Sequence, residues 1–168
     1  MQPINRLTHD FSAMRLEYIA LAEKIPRLVG ILGKKIMREN FDAQGFKEAA
    51  GAVSAWRPRS PVTNSIYDSR SGVQGSVYNS RNPILRQTGN LYNSITYRIS
   101  GKEIAIGCNL NQVPYAKLMN EGGRVRFGHQ TKYVPARKFI GYSSYFSNSV
   151  RDMILAKRNE IFNRFRLP

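Results

Sequence analysis

Between residues 11 and 36 the apolar side chains Phe11, Met14, Tyr18, Leu21, Ile25, Leu28, Leu32 and Ile36 advance by three or four positions at a time. That spacing draws one stripe along a helix, so whatever this chain folds into must offer a long apolar surface for the stripe to cover. Packing against a sheet of the same chain is the preferred reading over a coiled coil with a partner. Pro26 lies inside the pattern. Its ring clashes with the carbonyl four residues back, so the segment is expected to kink or split there into two helices whose faces stay nearly in phase. Phe41, Phe46 and Trp56 carry the apolar content on through a glycine-broken, alanine-rich stretch that reads as a short helix at best.

The 168 residues are the length of one domain, 1–168, long enough to bury an ordinary core. A single cysteine, Cys108, excludes an internal disulfide framework and reads as a small apolar residue at a strand end. With only His9 and His129 beside it, no zinc set is expected, and no cofactor. No apolar run reaches the roughly 20 residues of a membrane helix, and the polar start is unlike a signal peptide. The expectation is a protein made in a reducing cytoplasm, with no membrane partner.

The formal net charge is +15, unevenly placed. Residues 1–56 hold eight basic and six acidic side chains, whereas 57–168 hold eighteen and five. The densest acid-free segment contains Arg124, Arg126, Lys132, Arg137 and Lys138. Such a field favours nucleic acid, anionic lipid or an acidic protein surface, without choosing among them.

Residues 57–83 change character, with six serines, three asparagines, three prolines and four arginines. Within them Ser65-Ile66-Tyr67-Asp68-Ser69-Arg70 is echoed by Ser76-Val77-Tyr78-Asn79-Ser80-Arg81 around a glycine-containing turn. Two short β-prone pieces so joined can pair as a hairpin, and the segment is read as a long loop or projecting β-arm. Ile66, Tyr67, Val77 and Tyr78 are its candidate partner-binding residues.

Three phrases follow in order: ILRQTGNLYNSI, IAIGCN with PYAKLMNEGG, and VPARKFIG. In the first, Thr88 can cap a helix on which Leu91 and Ile95 share a face. Thr96 to Ser100 and Glu103 to Cys108 alternate as two strands about a short turn. Pro114 suits the start of a helix from Tyr115 to Glu121, which Gly122-Gly123 stops. Strands from Arg124 to Phe127 and from Thr131 to Val134 flank Gly128-His129. Pro135 keeps Val134 extended ahead of a last helix, capped by Ser143 or Ser144, with Phe146, Val150, Ile154, Ile161 and Phe165 on one face. Helix, strands, helix, strands, helix argues for an α+β fold, a small, mainly antiparallel sheet packed with long N-terminal and C-terminal helices.

Taken in order, Thr88-Gly89-Asn90-Leu91 with Ser94-Ile95, Tyr115-Ala116 with Gly122-Gly123, and Pro135-Ala136-Arg137 with Phe139 and Gly141 resemble the motifs of the phage virion morphogenesis and tail-completion family. Trp56 sits where that family often carries a tryptophan, whereas Met119 stands where a histidine is common and Lys138 where a second proline is common. The resemblance implies a structural subunit of a tailed-phage virion, a homo-oligomeric ring, most often of six, between head connector and tail. Neighbouring neck, tail-terminator or tail-tube proteins would be its partners, with non-specific contact to genomic DNA.

The sequence holds no recognisable catalytic constellation. Two histidines in glycine-rich or terminal settings give a nucleophile no base, and His129 between Gly128 and Gln130 reads as a turn residue. The carboxylates form no D-x-D or E-x-x-E cluster for a metal-dependent nuclease. Gly30 to Lys35 only faintly resembles a phosphate loop and lies within helical spacing, so no nucleotide is assigned. The expectation is a non-enzymatic neck or tail-end subunit that joins heads to tails, with Arg124, Arg126, Lys132, Arg137 and Lys138 facing a lumen or an acidic partner. The competing reading is a basic nucleic-acid-binding protein in which Tyr115, Phe127 and Tyr133 stack on bases.

Overall fold

The computed structural model describes residues 3–58, 83–86, 88–101 and 103–165. Helix α1 runs Pro3–Asp42 without interruption, and Pro26 lies inside it. The expected division into two helices does not occur. Proline removes one amide bond, but both flanking arms are many turns long, and a mid-chain hairpin and the C-terminal helix described below lie along the stripe, so packing holds the helix through the defect.

The stripe's inner neighbours are set by two glycines. Strands β3 (Ile95–Ser100) and β4 (Glu103–Cys108) pair antiparallel, and the turn at Gly101 takes a φ of 58°. They cross α1 where a Cβ on Gly30 would stand 2.3 Å from the Tyr97 ring and one on Gly33 2.1 Å from Ile106 Cδ1. Glycine inside a helix costs about 1 kcal/mol relative to alanine, and here it admits the crossing strands. The loop-like GILGKK sequence is therefore a packing notch.

Helix α4 (Ser144–Arg164) completes the layer. Ser143 caps it, accepting a hydrogen bond from the Phe146 amide at 3.2 Å. Phe146 lies by Gly33, and Arg164 pairs with Glu17 at 2.8 Å, so α4 runs antiparallel to α1. Ile161 is buried and Phe146, Val150, Ile154 and Phe165 are partly covered, as the spacing predicts, and Arg151 and Arg158 are exposed.

After α1 the chain forms a hairpin, β1 (Gly45–Ala49) with β2 (Ala52–Ala55), where the sequence suggested a short helix. Gly51, at a φ of 76°, makes the turn, and a Cβ on Gly45 would meet Ser54 O at 2.7 Å. Glycines that break a helix are what this close strand pairing requires. The TGNLYNSI phrase also differs in detail. Its helix, α2, is only Asn90–Asn93, and Ile95 already begins β3, so Leu91 and Ile95 are buried together by a helix-to-strand corner. The Thr88 hydroxyl accepts from the Asn90 amide at a long 3.4 Å.

Helix α3 (Ala116–Glu121) ends at Gly122, with a φ of 74°, and strands β5 (Gly123–Phe127) and β6 (Gln130–Val134) form the third hairpin about Gly128-His129. The α+β class is as expected. Among the described residues the strands make three separate two-stranded antiparallel sheets instead of one. Residues 59–82 lie outside the described residues, and with them the arm candidates Ile66, Tyr67, Val77 and Tyr78.

Candidate functional site

The three sequence phrases converge on one core. Leu91 and Ile95 from the first, Val113 and Ala116 from the second and Phe139 from the third are buried with Met37, Phe41 and Trp56. Phe41 is the hub, with ring centroids 5.4 Å from Trp56, 5.7 Å from Tyr92 and 5.1 Å from Phe139.

The PARKFIG segment is extended without strand partners, so its backbone groups need satisfaction from elsewhere. Asn120 Oδ1 accepts from both the Phe139 and the Ile140 amides, at 2.9 and 3.0 Å. Asn40 Nδ2 donates to Phe139 O at 3.0 Å, Trp56 Nε1 donates to Lys138 O at 2.7 Å, and the Arg137 amide donates to Met119 O at 2.8 Å. Gly122 allows the close approach, since a Cβ there would sit 2.6 Å from the Ala136 nitrogen. Asn40 and Asn120 were not singled out from sequence. Asn40 is only 1% exposed and stands four residues after Ile36, in phase with the apolar stripe, and a polar residue at a core position was the signal.

This arrangement divides the five basic residues. Arg137 is buried and its Nε donates to Arg57 O at 3.2 Å, while Lys138 Nζ lies 4.1 Å over the Phe46 ring. These two side chains are engaged with the body of the protein. Arg124, Arg126 and Lys132 belong to the β5–β6 hairpin, where directly opposed residues share a face. Arg124 opposes Tyr133 and Arg126 opposes Thr131, and all four are exposed, Tyr133 at 66%. Lys132 opposes Val125 on the other, partly covered face. The outward face thus presents two arginines roughly 7 Å apart beside a tyrosine ring. Arg126 Nε donates to Gly128 O at 3.2 Å, bracing the side chain against the turn, and exposed His129 sits at the tip. No acidic residue occurs from 122 to 151.

Nothing in this surface is arranged for bond-breaking. Cys108, the last residue of β4, is half-buried, and burial pushes its thiol above the ordinary value, with a Ser94 hydrogen bond pulling the other way. Among the described residues no group of histidine, cysteine and carboxylate side chains could hold a metal, and no helix is long and apolar enough to cross a membrane. The exposed features are those of a binding surface.

The family model described as the phage virion morphogenesis family matches residues 18–157. The chain belongs to that family. Neither the comparison with curated proteins nor that with solved structures gives a match. The matched span of this phage virion morphogenesis protein runs from within α1 to within α4, so it takes in all three hairpins and every residue of the shared core. A structural, assembly role in a phage virion is what membership supports, and the motif residues serve it by building the body that carries the hairpin.

Proposed function

We propose that this chain is a tail-completion subunit, a non-enzymatic protein of the head–tail neck or tail end that forms a ring and joins heads to tails. The observation that carries the reading is how the motif residues are used. Leu91, Ile95, Ala116 and Phe139 all pack inward, and the basic hairpin face is left outward. A protein whose large apolar motif residues, the exposed Tyr115 apart, build a scaffold acts through its surface. Exposed apolar side chains on several elements, Phe11 and Leu16 on α1, Phe162 on α4 and Tyr142 ahead of it, supply contact area for neighbouring copies or other tail proteins. Identical subunits meeting through two different patches close into a ring when the rotation allows, and six copies is the number that the family resemblance implies. Virion contacts with tail-terminator or tail-tube proteins belong to the same reading.

Size measurement of the purified protein together with low-resolution imaging, alone and on tails, tests it. A symmetric ring at the neck or tail end supports the proposal, and a persistent monomer that leaves tails undecorated overturns it.

A second reading, a basic nucleic-acid-binding protein, is favoured by the paired Arg124 and Arg126 beside Tyr133, a grouping that suits phosphates and a stacked base. Tight, sequence-selective duplex binding that persists at high salt would select it over the neck reading.

A further inference from the structure

On the side of α1 facing Tyr92, Ile31, Lys34, Lys35, Arg38, Glu39 and Asp42 form the wall of an open groove of about 540 Å³. These positions recur at three and four residues, so they form one stripe of the helix, and Tyr92 of α2 makes the opposite wall.

The groove's charges are not balanced. Glu39 is held by Lys47 at 2.7 Å, with Lys35 at 4.0 Å, and Asp42 is held by Arg86. Lys34 and Arg38 have no ion-pair partner among the described residues. The Arg38 guanidinium lies 4.9 Å from the Tyr92 ring centroid and that of Arg86 lies 4.4 Å from it. Arg38 Nε is buried and makes no hydrogen bond. A buried N–H without an acceptor is an unfavourable state, so the charge of this guanidinium is poorly compensated within the protein itself. A guanidinium held against a ring keeps its planar fork of donors in place, which matches a carboxylate edge-on.

We propose that this groove docks an acidic peptide segment of a partner protein. One side-chain carboxylate pairs with Arg38 and another with Lys34, and aliphatic parts of the peptide lie on Tyr92 and the half-exposed Ile31. Glu39 and Asp42 decide between a peptide and a nucleic acid strand. A strand brings a charge at every phosphate and meets both carboxylates, whereas a peptide places charge only at its acidic side chains and offers backbone N–H groups to the carboxylates. Self-occupancy by residues 57–83 is disfavoured by their four arginines against one aspartate. The proposal goes beyond the assembly role and rests on no ring geometry.

The test uses the full chain and a dye-labelled peptide in which glutamates alternate with leucines, with binding followed by fluorescence anisotropy and the Arg38 Nε–H signal by ¹⁵N NMR. Binding should shift that signal, and Lys34→Gln with Arg38→Met should weaken it at least about tenfold, the scale of one lost charge pair. Arg124→Ser with Arg126→Ser should leave the affinity within about twofold. Should the Arg38 variant fail to fold, Lys34→Gln with Lys35→Gln alters only the rim and should still weaken binding about threefold. The proposal is overturned if the peptide does not bind, if the groove variants bind as well as the parent, if the hairpin variant alone abolishes binding, or if a single-stranded oligonucleotide displaces the peptide and moves the same signal more strongly.

Discussion

Asn120 stabilises the molecule through a single oxygen. Its Oδ1 serves two backbone amides of a segment that has no strand neighbour, so Asn120→Ala orphans both. A partly buried donor left unpaired costs about 1–3 kcal/mol, and denaturant titration should show a loss of about 2 kcal/mol or more. Leu91→Asp should be more damaging, by about 4 kcal/mol, because the site is 2% exposed and the new charge has no partner there. Thr88→Ala, by contrast, should cost under about 0.5 kcal/mol, since the cap bond at 3.4 Å is long and exposed. An unfolding series with Leu91→Asp harmless would refute the core as described. Cys108 yields a pH expectation. Its raised pKa means less thiolate at a given pH than an unstructured cysteine has, so alkylation by iodoacetamide near neutral pH should be slower in the folded protein than in urea. The sign for stability follows. The folded state holds its proton to a higher pH, so the Cys108 contribution is intact below the ordinary thiol pKa and is lost as pH rises through the raised one.

At the scale of elements, Gln44 closes the base of the long 59–82 segment. Its backbone carbonyl accepts from the Trp56 amide at 2.9 Å, and its side-chain oxygen accepts from the Ile84 amide at 2.5 Å. The chain thus leaves and returns beside one residue, held there by contacts that do not involve the segment. Replacing residues 59–82 with a short glycine-serine linker should therefore leave circular dichroism and the melting temperature nearly unchanged, while blocking assembly as expected of a partner-binding arm. A variant that fails to fold would show that the segment belongs to the core. The β5–β6 hairpin is separable in the same sense. Arg124 and Arg126 point away from the body, so Arg124→Ser with Arg126→Ser should not alter folding. If the hairpin contacts duplex DNA, the double variant should reduce the salt slope of weak, sequence-indifferent binding by up to about 2 units. Unchanged DNA affinity with failed head–tail joining would assign the arginines to an acidic neighbour instead.

For the whole molecule, α1 is the spine on which everything else is placed. Its N-terminal part pairs with α4, its glycines seat the β3–β4 hairpin, and its last turn supplies Met37, Asn40 and Phe41 to the core. The residues that carry the family resemblance lie around that last turn. Most of the motif can therefore be structural and still mark an assembly protein, because it builds the body that carries the outward surfaces.

Local patterns in the sequence determined the parts. The spacing of Phe11 to Ile36 gave the helix, alternation gave the β3–β4 and β5–β6 strands, Gly122 gave the stop of α3, and Ser143 was one of two expected caps of α4. Each depends on a few neighbouring residues, and tertiary context did not override it. The tertiary structure decided what depends on residues far apart. Helix α1 passes through Pro26 because α4 and the hairpin pack along it. Gly45 to Ala55 became a hairpin because close strand approach at glycine outweighed the helix propensity of its alanines. The basic segment from Arg124 to Lys138 reads as one field along the chain, yet strand alternation turns Arg124 and Arg126 outward and Lys132 to the other face. Arg137 is buried and bonded to Arg57, and Lys138 is held by Trp56 and Phe46, partners between 80 and 92 residues away along the chain. No local pattern encodes such distances, because a side chain's exposure is set by what packs over it.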